Sequence, residues 1–183
     1  MSTERIIYEL REYLVSEGRV LDEIDRARAT IIGEKADEPS LFDRHAIPRP
    51  WAMFRCVHGR PLPCIAFVYP WDSTAIRALA FPSLYADPRW HELRARTNGA
   101  HEIVERIDDL IFHGPRCSEK ARGPGLFEFC RGDAGDADEV VLGPLVPLCG
   151  DDGRPFFIRR LASPIEMPIA SGRKFFELIE LER

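Results

Sequence analysis

Strand, helix, strand, strand, helix, strand is the order of elements read over residues 1–115 of this 183-residue chain. That order predicts an α+β fold built on the split βαβ, or ferredoxin-like, unit. Three observations carry the prediction: an apolar alternation at the N-terminus, two amphipathic stretches of helical spacing, and a pair of short strands joined by a proline turn. A change of composition at Arg116 then opens a β-rich tail, residues 116–183.

"IIYELREYLV", Ile6 to Val15, is the first strand. Side chains alternate across a strand, so Ile6, Tyr8, Leu10 and Leu14 share one face, while Glu9, Arg11 and Tyr13 share the other. After "SEGR", "VLDEIDRARATII" takes up helical spacing, with Leu21, Ile24, Ala27 and Ile31 on one side, an Asp22–Arg26 pair on the surface, and Gly33 as the stop. "EKADEPSLFDRHAIPRP" is a polar, proline-marked connection. Trp51–His58 and Cys64–Tyr69 form a hairpin across "GRPLP". Ser73 caps a helix that turns Ile76, Leu79 and Ala80 inward and breaks at Pro82, and Asp87 caps another that carries Pro88 in its first turn. "HEIVERIDDLIFHGP" is ambiguous in period; its later part, Val104 to Phe112, reads as the closing strand.

In the tail, "RCSEKARGPG" reads as a boundary. Leu126–Arg131, Val140–Leu148, Phe156–Leu161 and Phe175–Leu181 read as strands, the middle two joined by the turn "GDDGR". "FEFCR" echoes the earlier "YELR". Two descriptions of the tail stay open: a β-rich appendage, or a degenerate second repeat that completes a barrel.

Composition narrows function more by exclusion than by assignment. A core is affordable at 45% apolar residues, and a net charge of −5 with interspersed signs offers no basic stripe for phosphates, so nucleic acid is not an expected partner. "MSTERIIYEL" places charge where a signal peptide is apolar, and no window has the length of a membrane span; a cytoplasmic location is the expectation. Five scattered cysteines without a Cys-x-x-Cys pair read as reduced thiols. The five histidines show no metal-ligand spacing, and no phosphate loop or nucleophile elbow appears, so neither metal nor cofactor is expected.

"IYELREY", then "VYPWDS", then Arg77, then "YADPRW" before a helix together resemble the pattern of the NIPSNAP family, over roughly residues 6–115. The resemblance implies a dimeric α/β barrel, in which two ferredoxin-like sheets meet face to face, and hence a homodimer. The β-rich tail lies outside that single-domain pattern and poses the question of whether a second chain or the tail closes the barrel. Some dimeric α/β barrels bind haem through one histidine, and by that likeness His58 or His113 could serve.

A sheet with helices on one side must cover its other side, and if Tyr8, Leu10 and Leu14 pack under the helices, then Glu9, Arg11 and Tyr13 face the enclosed space. An arginine held by a carboxylate in a water-poor pocket anchors a substrate carboxylate or enolate, and a tyrosine donates to a developing oxyanion. Arg11 is then the anchor, Tyr13 the donor, Glu9 the orienting group or base, with Arg55, Phe67 and Tyr69 on neighbouring strands as further ligand contacts. Glu9 and Arg11 could equally be a structural ion pair. The function expected is binding of a small molecule, with cofactor-independent chemistry on a carbonyl, enol or aromatic metabolite as its extension. The alternative is a non-catalytic, self-associating scaffold whose interior is filled by side chains.

Overall fold

The computed structural model describes residues 5–117, 123, 125–132, 139–148, 153–161 and 174–180. Its first part runs β1 (Ile6–Val15), α1 (Val20–Ile31), α2 (Leu41–Arg44), β2 (Ala52–His58), β3 (Cys64–Trp71), α3 (Thr74–Tyr85), α4 (Pro88–Asn98) and β4 (Val104–Gly114). Four strands follow: β5 (Leu126–Arg131), β6 (Glu139–Pro147), β7 (Phe156–Arg160) and β8 (Lys174–Ile179). All eight strands close into one antiparallel barrel in the order β1-β3-β2-β8-β5-β7-β6-β4. The tail therefore supplies half of the barrel within the same chain. Among the described residues no helix is long and apolar enough to cross a membrane.

Period-2 alternation in β1 is as the sequence predicts, but its faces are reversed. Tyr8 and Leu10 point into the barrel, where they meet Phe54, Phe127, Phe129 and Phe176. Rings pack tightly there: Phe129 stacks on Phe176 at 3.9 Å between centroids and stands edge-on to Phe54 at 5.1 Å. Each ring withdrawn from water contributes about 1.5–3 kcal/mol, and the described residues of the lumen pack as a core. Tyr8 reaches the Pro115 carbonyl and the Cys117 amide with its hydroxyl, but a carboxylate and a guanidinium buried unpaired among these rings would be costly. Glu9, Arg11 and Tyr13 accordingly lie on the outer face, under the helices, where Trp71, Arg77 and Tyr85 pair with the first two.

Outside the barrel a second core forms between Met53, Ile65, Phe67, Tyr69 and Trp71 on the sheet and Ile31, Phe42, Phe81, Leu84 and Leu93 on the helices. The helices differ from expectation in their rotation. Leu21, Ile76 and Leu79 are exposed, while α1 buries Glu23, Arg26, Ala27, Thr30 and Ile31. Arg26 pairs with Glu23 and Glu102 instead of Asp22, which pairs with Arg19. Polar groups on the buried side of α1 mark a space that is not filled by core.

Helix α3 also passes through Pro82 instead of stopping there. Proline deprives the Ala78 carbonyl of its donor, but Ala78 and Pro82 are exposed, so water can satisfy that oxygen while Phe81 and Leu84 stay buried. Asp87 caps α4 as expected, its Oδ1 accepting from the Arg89 amide at 2.8 Å. Within the connection that the sequence leaves irregular, Ser40 and Asp43 exchange capping hydrogen bonds and hold the single turn of α2.

Candidate functional site

A cavity of about 510 Å³ lies between the outer face of the sheet and the helices. Its floor is Arg11 and Tyr13 of β1 with Phe67 and Tyr69 of β3. Register explains that grouping: Arg11 sits opposite Phe67 and Glu9 opposite Tyr69, so the outward residues of the two strands form one patch. The Tyr13 and Phe67 rings are 5.0 Å apart, and Phe67 stacks beside Tyr69 at 5.9 Å. Helix α3 contributes Phe81, Leu84 and Tyr85, and α4 contributes Trp90, His91 and Arg94. The remaining wall is mixed: Glu23, Arg26 and Thr30 beside Ala27 and Ile31 from α1, Phe42 from α2, then Glu102 and the start of β4.

Arg11 is 6% exposed and held from several sides. Its Nη2 donates to the Tyr85 hydroxyl at 3.2 Å, its Nε is 3.7 Å from Glu9 Oε1, and its guanidinium carbon lies 4.1 Å from the centre of the Phe81 ring. Nε and Nη1 are nonetheless buried without a hydrogen-bond acceptor among the described residues. A buried cation with unused donors is costly unless something accepts from them. Desolvation raises the Tyr13 and Tyr69 phenols well above their usual range, so both remain neutral hydrogen-bonding groups.

Glu9 occupies a different position from the one expected of a catalytic carboxylate. It is fully buried, accepts from Trp71 Nε1 at 2.8 Å and from Arg77 Nη2 at 2.7 Å, and does not line the cavity. Arg77 also reaches Asp109 at 2.6 Å, so Glu9 is the centre of a structural charge network. Arg55 lies away from the cavity, on the exposed side of β2, paired with Glu177 of β8. His58 and His113 do not line the cavity either, and among the described residues no three His, Cys, Asp or Glu side chains are grouped to hold a metal ion. The structure thus brings Arg11, Tyr13, Phe67 and Tyr69 together on the cavity, keeps Glu9 beside Arg11 but off the cavity lining, and leaves Arg55 apart.

Sequence reasoning missed the cavity's own carboxylates. Glu23 is 3% exposed, and its Oε2 receives Arg26 Nε at 2.8 Å. Burial pushes its carboxyl up to about 7 against the pull of Arg26. Glu102 accepts from Arg94 at 2.7 Å, Asn98 at 2.9 Å and Arg26 at 3.2 Å; although burial pushes it up, these donors hold it at about 2. The signal in the sequence was the spacing of Glu23, Arg26 and Thr30, which share one side of a helix and would be out of place against a purely apolar core.

A second polar constellation lies where α2 meets α3 and α4. His45 Nδ1 is 2.8 Å from Ser83 Oγ, and its Nε2 is 2.8 Å from Asp87 Oδ2. None of the three lines the cavity, Asp87 is already the cap of α4, and Ser83 sits mid-helix, where backbone amides are committed to the helix ladder. The cluster ties three helices together.

No protein-family model and no curated protein matches the chain. Among solved structures it is similar to NIPSNAP proteins. A NIPSNAP family protein of unknown function from Agrobacterium tumefaciens aligns at 18% identity over 62% of this chain and 91% of its own, with a TM-score of 0.40. A second crystal structure of that Agrobacterium protein aligns at 18% over 60% and 94%, with a TM-score of 0.39. An uncharacterised NIPSNAP-like domain protein from Burkholderia xenovorans aligns at 20% identity over 58% and 82%, with a TM-score of 0.44.

Proposed function

We propose that this protein binds a small organic acid in the cavity between sheet and helices, its carboxylate on Arg11 and its apolar or aromatic body against Tyr13, Phe67, Tyr69 and Phe81. One observation carries the reading: Arg11 lines a space walled by aromatic rings, and two of its buried nitrogens have no acceptor among the described residues. A carboxylate is the group that fits, because it supplies two acceptor oxygens and a compensating charge at once. The aromatic walls favour a planar ligand, in keeping with a carbonyl, enol or aromatic metabolite.

The test compares benzoate with benzamide by titration calorimetry. Wild-type protein binds benzoate in preference to the neutral amide, and Arg11→Met weakens benzoate by about 10- to 100-fold, the worth of one charge-assisted contact. Equal binding of the two probes, or an Arg11→Met variant with unchanged affinity, overturns the assignment.

The same reading divides the chain at about residue 115. The neighbours β4-β1-β3-β2 and β8-β5-β7-β6 are related by one substitution of labels, β1 to β5, β2 to β6, β3 to β7 and β4 to β8. That correspondence supports a ferredoxin-like unit followed by a degenerate repeat that stands in for a partner subunit. A self-associating scaffold is the second reading, favoured by the exposed apolar side chains Leu21 and Leu79 at 73% and 74% and Ile76 at 42%. Sedimentation that gives a monomer, unchanged by Leu79→Glu, sinks it.

A further inference from the structure

If an organic acid sits on Arg11, the cavity must either hold it unchanged or act on it, and the disposition of the carboxylates bears on which. Glu9 is not available to the ligand: its Oε2 receives Trp71, its Oε1 receives Arg77, and it does not border the cavity. Glu102 borders it but receives Arg94 and Asn98 on one oxygen and Arg26 and the Ile103 amide on the other. Glu23 is different. Its contacts with Arg26 end on Oε2, and Oε1 accepts no hydrogen bond among the described residues.

We propose that Glu23 is the proton-transfer group of this cavity and that the cavity enolises a 2-oxo carboxylate held at Arg11. The inference rests on the organic-acid reading above and adds to it a reaction class and a base. Such a substrate carries the carboxylate that Arg11 requires and, one carbon away, a carbonyl oxygen within the same cluster of donors. Tyr85 accepts from Arg11 Nη2 and so keeps its own O–H free to donate to that oxygen. Tyr13, on the cavity floor beside the guanidinium, is a second neutral donor.

In the forward step the C–H bond next to the carbonyl breaks and its proton passes to Glu23 Oε1. The electron pair left behind becomes the enol double bond, and the carbonyl π pair moves to oxygen, where Tyr85 and Arg11 donate to the developing charge. The oxygen then takes a proton from water, and Glu23 gives its own to the hydroxide left behind, so water and carboxylate are both restored and no oxidant, reductant or co-reactant is consumed. Two carboxylates with opposed environments suit this division: Glu102 stays ionised and fixes Arg26, and Glu23, near neutrality in its affinity for a proton, can take one and release it. The other titratable groups lining this cavity are Arg26 on the same helix, Arg11 and Tyr13 from β1, Tyr69 from β3, Tyr85 from α3, His91 and Arg94 from α4, Glu102, and Glu105 and Arg106 from β4.

The experiment follows deuterium incorporation at C3 of phenylpyruvate in heavy water by proton NMR, with benzoate affinity measured on the same samples. Wild-type protein accelerates exchange over buffer, with a rate that rises as pH passes through about 7. Glu23→Gln loses about 100-fold or more of that acceleration and its pH dependence while still binding benzoate. Glu23→Asp, should the amide variant fold poorly, exchanges more slowly than wild type but keeps the rising profile. Benzoate binding without accelerated exchange, or exchange by Glu23→Gln at the wild-type rate, overturns the proton-transfer inference and leaves the binding reading in place. Failure of the wild type to bind either probe overturns the organic-acid reading, and this inference with it.

Discussion

Replacing Glu9 by alanine tests whether the most deeply buried carboxylate of β1 is structural. The substitution withdraws the acceptor of Trp71 Nε1 and of Arg77 Nη2, and the counter-charge 3.7 Å from Arg11. Breaking a buried ion pair from one side costs about 3–5 kcal/mol, mostly because the charge left behind is uncompensated. Two features place Glu9→Ala near the lower end of that range. Arg77 keeps Asp109 at 2.6 Å, and its side chain is 26% exposed, so water takes up part of the loss. Arg11 has no such relief, since its side chain is 8% exposed and Glu9 is its one ion-pair partner among the described residues. A loss of about 3 kcal/mol lowers Tm by about 6–12 °C in a chain of this length, at 2–4 °C per kcal/mol. Glu9→Gln keeps the shape and one acceptor oxygen and should lose less. Thermal unfolding followed by circular dichroism, with urea midpoints as a check, measures both. If Glu9→Ala stays within about 0.5 kcal/mol of wild type, as exposed substitutions do, Glu9 is not the centre of a buried charge network.

Two further outcomes follow from the same contacts. Phe54 from the first half and Phe129 from the tail meet edge-on at 5.1 Å inside the barrel, so Phe129→Ala costs about 3–5 kcal/mol. A double-mutant cycle with Phe54→Ala gives a coupling of about 0.5–1.5 kcal/mol, and zero coupling would mean that the tail does not close the barrel. For Glu23, whose folded carboxyl titrates at about 7 against 4.5 when free, the native state holds a proton that the unfolded state has lost between those values. Wild-type stability therefore falls as pH rises from about 4.5 to about 7 through this group, and Glu23→Gln removes that slope. Parallel pH–stability curves for the two proteins would contradict the assignment.

Strand and helix identities were legible because each carries its own period. The alternation in "IIYELREYLV" and the caps Ser73 and Asp87 needed no tertiary information. Which face of β1 looks inward was not legible, because both faces are covered in this protein: Tyr8 and Leu10 by the tail's phenylalanines, Glu9 and Arg11 by α3. A polar trio signals an interior with partners, and the partners here come from α3, more than sixty residues along the chain. Helix rotation failed for a related reason. Leu21, Ile24, Ala27 and Ile31 make the better apolar stripe, but Glu23, Arg26 and Thr30 turn inward, and Glu102 and Asn98, which Arg26 reaches, are unpredictable from the helix alone.

Comparing the two halves of the barrel explains why the candidate site sits on the helix side of the first. Tyr8-Glu9-Leu10 in β1 and Phe127-Glu128-Phe129 in β5 occupy corresponding steps on the repeat reading, each with two inward rings or aliphatics around one fully buried carboxylate. In the tail, the residue paired across from Glu128 is Arg159, whose Nε donates to it at 2.7 Å. In the first half the residue across from Glu9 is Tyr69, which cannot neutralise it. The compensating charge must then come from the same strand and from the helix above, as Arg11 and Arg77. Tyr69 becomes a cavity wall, and Arg11 becomes a cavity-lining cation whose charge is balanced from one side while two of its buried donors have no acceptor among the described residues. A cross-strand exchange tests this account: Tyr69→Arg should draw Glu9 into a cross-strand pair, relax its hold on Arg11 and abolish benzoate binding, at a cost in stability from the lost ring packing. A Tyr69→Arg protein that binds benzoate as wild type does would show that the cavity does not depend on where the counter-charge of Glu9 is placed.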